Sequence, residues 1–202
     1  SGLLTLNYTL TTTDGRQIAL QVKKIASMAQ REFYSLSYRF KPLNFTGEIT
    51  VVTEADGTVY NYNVARYRSL ENRHLTVVNT AVNQEYAQLV ATTKNSKITI
   101  VQTSQLAGTA LNEGPLITET TKEKVFQSIT LSATKNQWYH LEKTVWVGQF
   151  RQEEEIPPAV LNLPLAASQA FLDFESLAAE SKKAWEKLWE TSGITISGDF
   201  MS

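Results

Sequence analysis

Apolar and polar residues alternate with a period of two through most of the stretch from Leu3 to Val147, the mark of strands with one face turned to a core. Leu4, Leu6, Tyr8 and Leu10 share one face, with Thr5, Asn7 and Thr9 on the other. Asp14-Gly15 follows, a strong hairpin-turn dipeptide, and Ile18, Leu20 and Val22 resume the alternation. Tyr34, Leu36, Tyr38 and Phe40 alternate with Ser35, Ser37, Arg39 and Lys41, which predicts a half-buried strand with large cross-strand surfaces. Further strands are predicted over residues 48–53, 58–62, 74–83, 86–93, 98–103, 124–133 and 139–147, with turns at Asp56-Gly57 and at Lys94-Asn95-Ser96-Lys97. The polar stretch 105–122 is expected to form a loop or an irregular edge. About ten strands separated by turns predict a large antiparallel β-sandwich rather than a small barrel.

The period changes near Glu153-Glu154-Glu155, where an acidic run and Pro157-Pro158 break the β pattern and read as a linker. Residues 159–171 are apolar but interrupted by Pro164, which a helix tolerates in its first turn. From Asp173 to Thr191 the spacing is helical. Phe174, Leu177, Ala178, Ser181, Trp185, Leu188 and Trp189 fall on one face, and Glu175, Glu180, Lys182, Lys183, Glu186 and Lys187 cover the rest. Asp173 suits the N-cap, and Gly193 suits a left-handed stop. The expected division is a β-sandwich over 1–152 and a linker with an amphipathic helix over 153–202. That helix carries more apolar surface than a free-standing linker needs. Phe174, Leu177, Trp185, Leu188 and Trp189 are therefore the candidate residues for contact with another domain or a second copy.

Composition narrows the function classes. A net charge of −1, from 19 basic and 20 acidic residues, offers no basic field for nucleic acid or an anionic membrane. The absence of cysteine excludes disulfides, thiol chemistry and Cys-based zinc sites, and suits a reducing cytoplasm. The opening Ser1-Gly2-Leu3-Leu4-Thr5-Leu6 lacks the basic and apolar regions of a signal peptide. No stretch approaches the ~18 apolar residues of a membrane-spanning helix.

Candidate chemistry is sparse. His74 and His140 both sit in strand-like contexts with no second ligand type at metal spacing, so each is expected to be a structural or surface histidine. No nucleophile elbow, phosphate loop or dinucleotide fingerprint occurs. Glu48, Glu54, Asp56, Glu71, Glu113 and Glu142 could supply an acid–base pair only if the fold brought two of them together. Trp138, Tyr139, Trp146, Tyr60, Tyr62 and Tyr67 could stack on sugar rings, against a plainer expectation of core and cross-strand packing. Composition and pattern stop at a cytosolic all-β domain with a C-terminal helical linker.

Several stretches carry a resemblance further. Leu3-Leu4-Thr5 followed by Asp14-Gly15-Arg16, and Ala26-Ser27-Met28 before an aromatic-rich strand, come first. Pro42-Leu43-Asn44-Phe45-Thr46-Gly47 leads to Asp56-Gly57-Thr58-Val59-Tyr60-Asn61, then Arg66-Tyr67 and Asn72-Arg73-His74-Leu75. Ala184-Trp185-Glu186-Lys187-Leu188-Trp189 precedes residues 194–199. In this order and spacing they resemble the N-terminal domain of glycoside hydrolase family 65, which includes maltose, trehalose, kojibiose and nigerose phosphorylases and some α-glucoside hydrolases. The resemblance implies a super-sandwich, a helical linker and then an (α/α)6 catalytic barrel in the same protein. In that barrel one acidic residue acts as general acid, while phosphate or an activated water attacks the anomeric carbon with inversion. It implies no metal or organic cofactor, an α-linked disaccharide and phosphate as substrates of the parent enzyme, and support for a homodimer. The catalytic residues would lie beyond Ser202, so none is assigned here, and no sugar-binding residue is assigned either.

Three functions are weighed. The first is a non-catalytic sandwich of a family 65 enzyme, packed on its barrel and supporting substrate access or dimerisation. The second is a free-standing carbohydrate-binding module. The third is a structural sandwich without sugar chemistry, against which the Trp185 and Trp189 stripe argues.

Overall fold

The computed structural model describes residues 2–61, 72–83, 85–151, 154, 171–194 and 198. The first strands are β1 (Leu3–Thr11), β2 (Gln17–Ala26), β3 (Phe33–Pro42), β4 (Gly47–Asp56) and β5 (Leu75–Val82). Then come β6 (Tyr86–Thr93), β7 (Thr99–Ala107), a 3-10 turn (Thr109–Asn112), β8 (Leu116–Thr120), β9 (Lys124–Ala133) and β10 (Tyr139–Phe150). Helix α1 spans Phe174–Ser192. The strands form a seven-stranded sheet in the order β1-β2-β3-β10-β7-β6-β5 and a three-stranded sheet in the order β4-β9-β8. All strand pairings among the described residues are antiparallel, so the expected antiparallel sandwich with a C-terminal helix is the observed architecture.

Side chains alternate across each strand, and this sorts the cores. One face of the large sheet meets the small sheet. Phe40, Leu106, Tyr139 and Leu141 pack there against Leu131, with Ile49 and Val51 alongside. Farther along the same layer Ala87, Leu89 and Ala91 pack on Val125. The opposite face carries α1, whose Phe174 and Leu177 pack on Ile25 and Phe33. β10 lies at the centre of the large sheet and is buried on both faces from Leu141 to Val145. Full burial of each large apolar side chain contributes roughly 1.5–3 kcal/mol.

Several expectations change on contact with the fold. In β1, Leu4, Tyr8 and Leu10 stay exposed although their alternation is regular. Three strands span about 10 Å and seven about 29 Å at the usual ~4.8 Å spacing, so the small sheet does not reach beneath this edge. β3 is more than half-buried: Ser35 and Ser37, read as the polar side, are covered. No strand forms over the described part of 58–62. Asp56 accepts the Thr58 backbone N–H at 2.7 Å and its hydroxyl at 2.6 Å, and these bonds turn the chain away after Gly57. The polar 105–122 stretch is more ordered than a loop. β7 runs on to Ala107, Gly108 turns the chain at φ +121, where a Cβ would meet the His140 carbonyl oxygen at 2.5 Å, and β8 forms an edge. Gly193 is extended rather than left-handed, and its N–H donates to the Trp189 carbonyl. The Pro157-Pro158 break and Pro164 lie outside the described residues. No helix among the described residues is long and apolar enough to cross a membrane.

Candidate functional site

Among the described candidate carboxylates, Glu54 and Asp56 gather on one lysine and the others lie apart. Glu48 and Glu113 are exposed, and Glu71 lies outside the described residues. Glu54 and Asp56 both meet the Lys124 ammonium, at 3.7 and 2.6 Å. Partial burial pushes the Asp56 carboxyl up. The Lys124 ammonium and the Thr58 hydroxyl and amide outweigh this and hold it down to about 2. Asp56 is thus an anion built into a turn, not a group that protonates a leaving oxygen near neutral pH.

The aromatics separate by role. Tyr139 is buried and stacks on Phe40 with centroids 5.7 Å apart. Trp138 is exposed, but Arg39 and Lys41 place their charges 5.2 and 4.9 Å from its ring centroid. Tyr60 is exposed, and Tyr62 and Tyr67 lie outside the described residues. Trp146 is half-buried near the end of β10. His74 is exposed just before β5.

Glu142 and His140 also come together, beneath α1. Two residues apart on β10, they share the face of the sheet that carries the helix. Ser37 Oγ lies 2.9 Å from His140 Nε2, and Glu142 Oε1 lies 3.2 Å from the same nitrogen. Glu142 Oε2 accepts the backbone N–H of Phe174, the first residue of α1, at 3.1 Å. Ser, His and Glu in contact invite comparison with a hydrolytic relay. That relay needs the serine on one ring nitrogen and the carboxylate on the other. Here both meet Nε2, so the imidazole cannot be oriented by the acid while it takes the serine's proton.

The arrangement does something else: it moors a helix. The first amides of a helix lack internal partners and favour negative charge. Glu142 supplies one acceptor, and the Asp173 carboxylate accepts the Ser176 N–H and hydroxyl, both at 2.8 Å. Thr144 adds a hydroxyl that contacts Ser35 Oγ at 2.9 Å and donates to the Leu172 carbonyl at 3.4 Å. Glu142→Ala strips the Phe174 amide and His140 of a partner in a buried site. It is expected to cost about 1–3 kcal/mol in urea unfolding, whereas Glu48→Ala on the exposed face should stay within about 0.5 kcal/mol. Sequence reading missed Ser37, since a small polar residue in an alternating strand has the look of a solvent face. The Ser35-x-Ser37 and His140-x-Glu142-x-Thr144 spacings carry the signal only once β3 and β10 are known to pair.

Lys143 points the other way, between the sheets. It is 6% exposed, and its Nζ donates to Thr53 Oγ1 at 2.6 Å and to the Glu54 carbonyl at 3.1 Å. Burial lowers its ammonium to about 8, with the Glu54 charge pulling back in part. A cavity of about 170 Å³ lies beside it, lined by Tyr38, Val51, Leu106 and Leu141 among others.

The five contact candidates on α1 do not share one environment. Phe174 and Leu177 are fully buried in this chain's own core, and Ser181 Oγ accepts the Met28 N–H at 3.0 Å. Trp185 is half-buried and stacks with Trp189, centroids 6.4 Å apart. Leu188 and Trp189 stand exposed, as does Ile194 after the helix.

Known proteins resemble this chain in sequence and fold. A trehalose 6-phosphate phosphorylase of Lactococcus lactis is 28% identical over 158 residues, covering 77% of this chain and 19% of its own length. A protein of Mycobacterium tuberculosis described as an "uncharacterized glycosyl hydrolase" is 26% identical over 195 residues, covering 92% of this chain and 14% of its own length. A solved structure described as "Putative kojibiose phosphorylase from human microbiome" superposes with a TM-score of 0.76 at 14% identity, over 94% of this chain and 24% of that one, which shows a shared fold. The chain therefore spans between 14% and 24% of the length of these relatives. The family model for the N-terminal domain of glycosyl hydrolase family 65 matches residues 1–188, and this chain belongs to that family as its N-terminal domain.

Proposed function

We propose that this chain is the non-catalytic β-sandwich of a larger cytoplasmic α-glucoside phosphorylase or hydrolase. In this reading residues 1–152 form the sandwich, and 153–202 lead to an (α/α)6 catalytic domain of the same protein. The carrying observation is one of extent: the chain matches the family's N-terminal domain over residues 1–188 yet spans no more than 24% of the matched relatives. α1 supports the reading, because its first turns are locked to the sheet while Leu188 and Trp189 present apolar surface to solvent. Those two residues, with Trp185, then meet the catalytic domain or a second copy, and Phe174 and Leu177 hold the helix in place for that contact. The sandwich frames access to the parent's α-linked disaccharide and phosphate. The decisive experiment assays phosphate-dependent and phosphate-independent cleavage of trehalose, kojibiose and maltose by the full-length protein and by 1–202 alone. Turnover by the full-length protein only is expected. Turnover by 1–202 alone would overturn the reading.

A further inference from the structure

At the Phe150 end of β10 lies an open cleft of about 720 Å³, within the roughly 300–1,000 Å³ range of small-molecule sites. β10 outruns its neighbour there. Pairing with β3 stops at Trp146↔Phe33, while pairing with β7 continues to Phe150↔Thr99. The notch so formed is lined by Gly148, Gln149 and Phe150 from β10 and by Arg31 and Glu32 from the turn before β3. Trp146 forms its aromatic side. The indole lies across Gly148, where a Cβ would stand 2.2 Å from its Cη2 and 2.9 Å from Cζ2 and Cζ3. A glycine inside a strand marks such close approach. The indole also packs against the Phe33–Phe174 cluster, so it is held rather than loose.

The cleft's chemistry selects a ligand class. A fixed indole offers a broad apolar face, suited to the C–H side of a sugar ring. Exposed Arg31, Glu32 and Gln149 add planar donors and acceptors that match hydroxyl groups, which donate and accept at once. The charges of Arg31 and Glu32 offset each other, which favours neither an anion nor a cation. We propose that this cleft binds a neutral oligosaccharide, with one ring stacked on Trp146 and its hydroxyls held by Arg31, Glu32 and Gln149. The neutral-sugar class follows from the cleft, while the choice of an α-glucoside rests on the function proposed above.

The test measures equilibrium binding of maltotriose and cellotriose to the full-length protein with phosphate withheld. Wild type is compared with Gly148→Ala and with the double variant Arg31→Ala, Glu32→Gln. The added methyl at Gly148 must displace the indole, and the double variant changes only exposed side chains, so misfolding cannot account for both. Each is expected to weaken maltotriose binding about tenfold, equivalent to about 1.4 kcal/mol, with disaccharide turnover unchanged. Binding equal in all three proteins, or no binding of either probe by wild type, overturns the cleft whatever the turnover. A variant-sensitive preference for cellotriose upholds the cleft and overturns the α-glucoside parentage.

Discussion

Replacing Phe174 with alanine is expected to lower the unfolding free energy by about 3–5 kcal/mol. Phe174 is fully buried, in a cluster with Ile25, Phe33 and Leu177. Its ring also sits 5.9 Å from the Lys23 ammonium, and its amide is the one that Glu142 receives. Truncation opens a cavity where helix and sheet meet and loosens the first turn, so transfer and cavity costs add. The sensitive measurement is a urea titration at unchanged m-value, with Trp189→Ala as comparison, since that side chain is 58% exposed. Loss of less than about 1 kcal/mol would mean that α1 lies outside the cooperative fold, below even the usual cost of removing a buried aromatic.

Much of this junction was legible in the chain and much was not. Helical spacing marks Phe174 and Leu177 as one face, and Asp173 as the cap is observed, accepting from Ser176. Which surface that face meets is a tertiary fact. Ser35 and Ser37 look like solvent positions on β3, yet their small side chains are what let a helix lie close above the sheet. The exposed Leu4, Tyr8 and Leu10 mislead in the opposite sense: alternation reports which residues share a face, not whether another layer covers it. The family resemblance supplied what periodicity lacked, namely the identity of the whole domain. The Trp146 cleft could not be found in either way, because it depends on β10 running past β3.

The second large effect concerns Lys143. Its ammonium falls from an ordinary 10.5 to about 8 on burial between the sheets, worth about 3 kcal/mol at 1.36 kcal/mol per unit. Below pH 8 the group is protonated in both folded and unfolded chains, so the cost of burying the charge is present in full. Between about pH 8 and 10.5 the unfolded chain holds a proton that the folded one lacks, and stability rises with pH. Lys143→Met removes the titrating group. The variant is expected to be more stable than wild type at pH 7, less the lost bonds to Thr53 and the Glu54 carbonyl. That advantage should shrink by about 3 kcal/mol as pH approaches 10.5. Burial also raises Tyr34 and Tyr38, but both proteins share these groups and they drop out of the difference. Parallel urea titrations from pH 7 to 10 test the point. A difference that stays flat would show that the ammonium keeps its solvation inside the sandwich.

The central place of β10 has a consequence for how the chain is made. β3 and β7 are not hydrogen-bonded neighbours in the large sheet; each pairs with β10, the last of the described strands to be synthesised. Residues 43–138 separate β3 from β10. At about 5–20 residues per second, the β1–β3 meander waits on the order of ten seconds with its inner edge open. Once β7 is complete and until β10 follows, the nascent sheet would consist of two unjoined halves, each with an edge that could recruit a strand from a neighbouring polysome. Expression of this domain should therefore be limited by how long that edge goes unclaimed rather than by the stability of the finished sandwich.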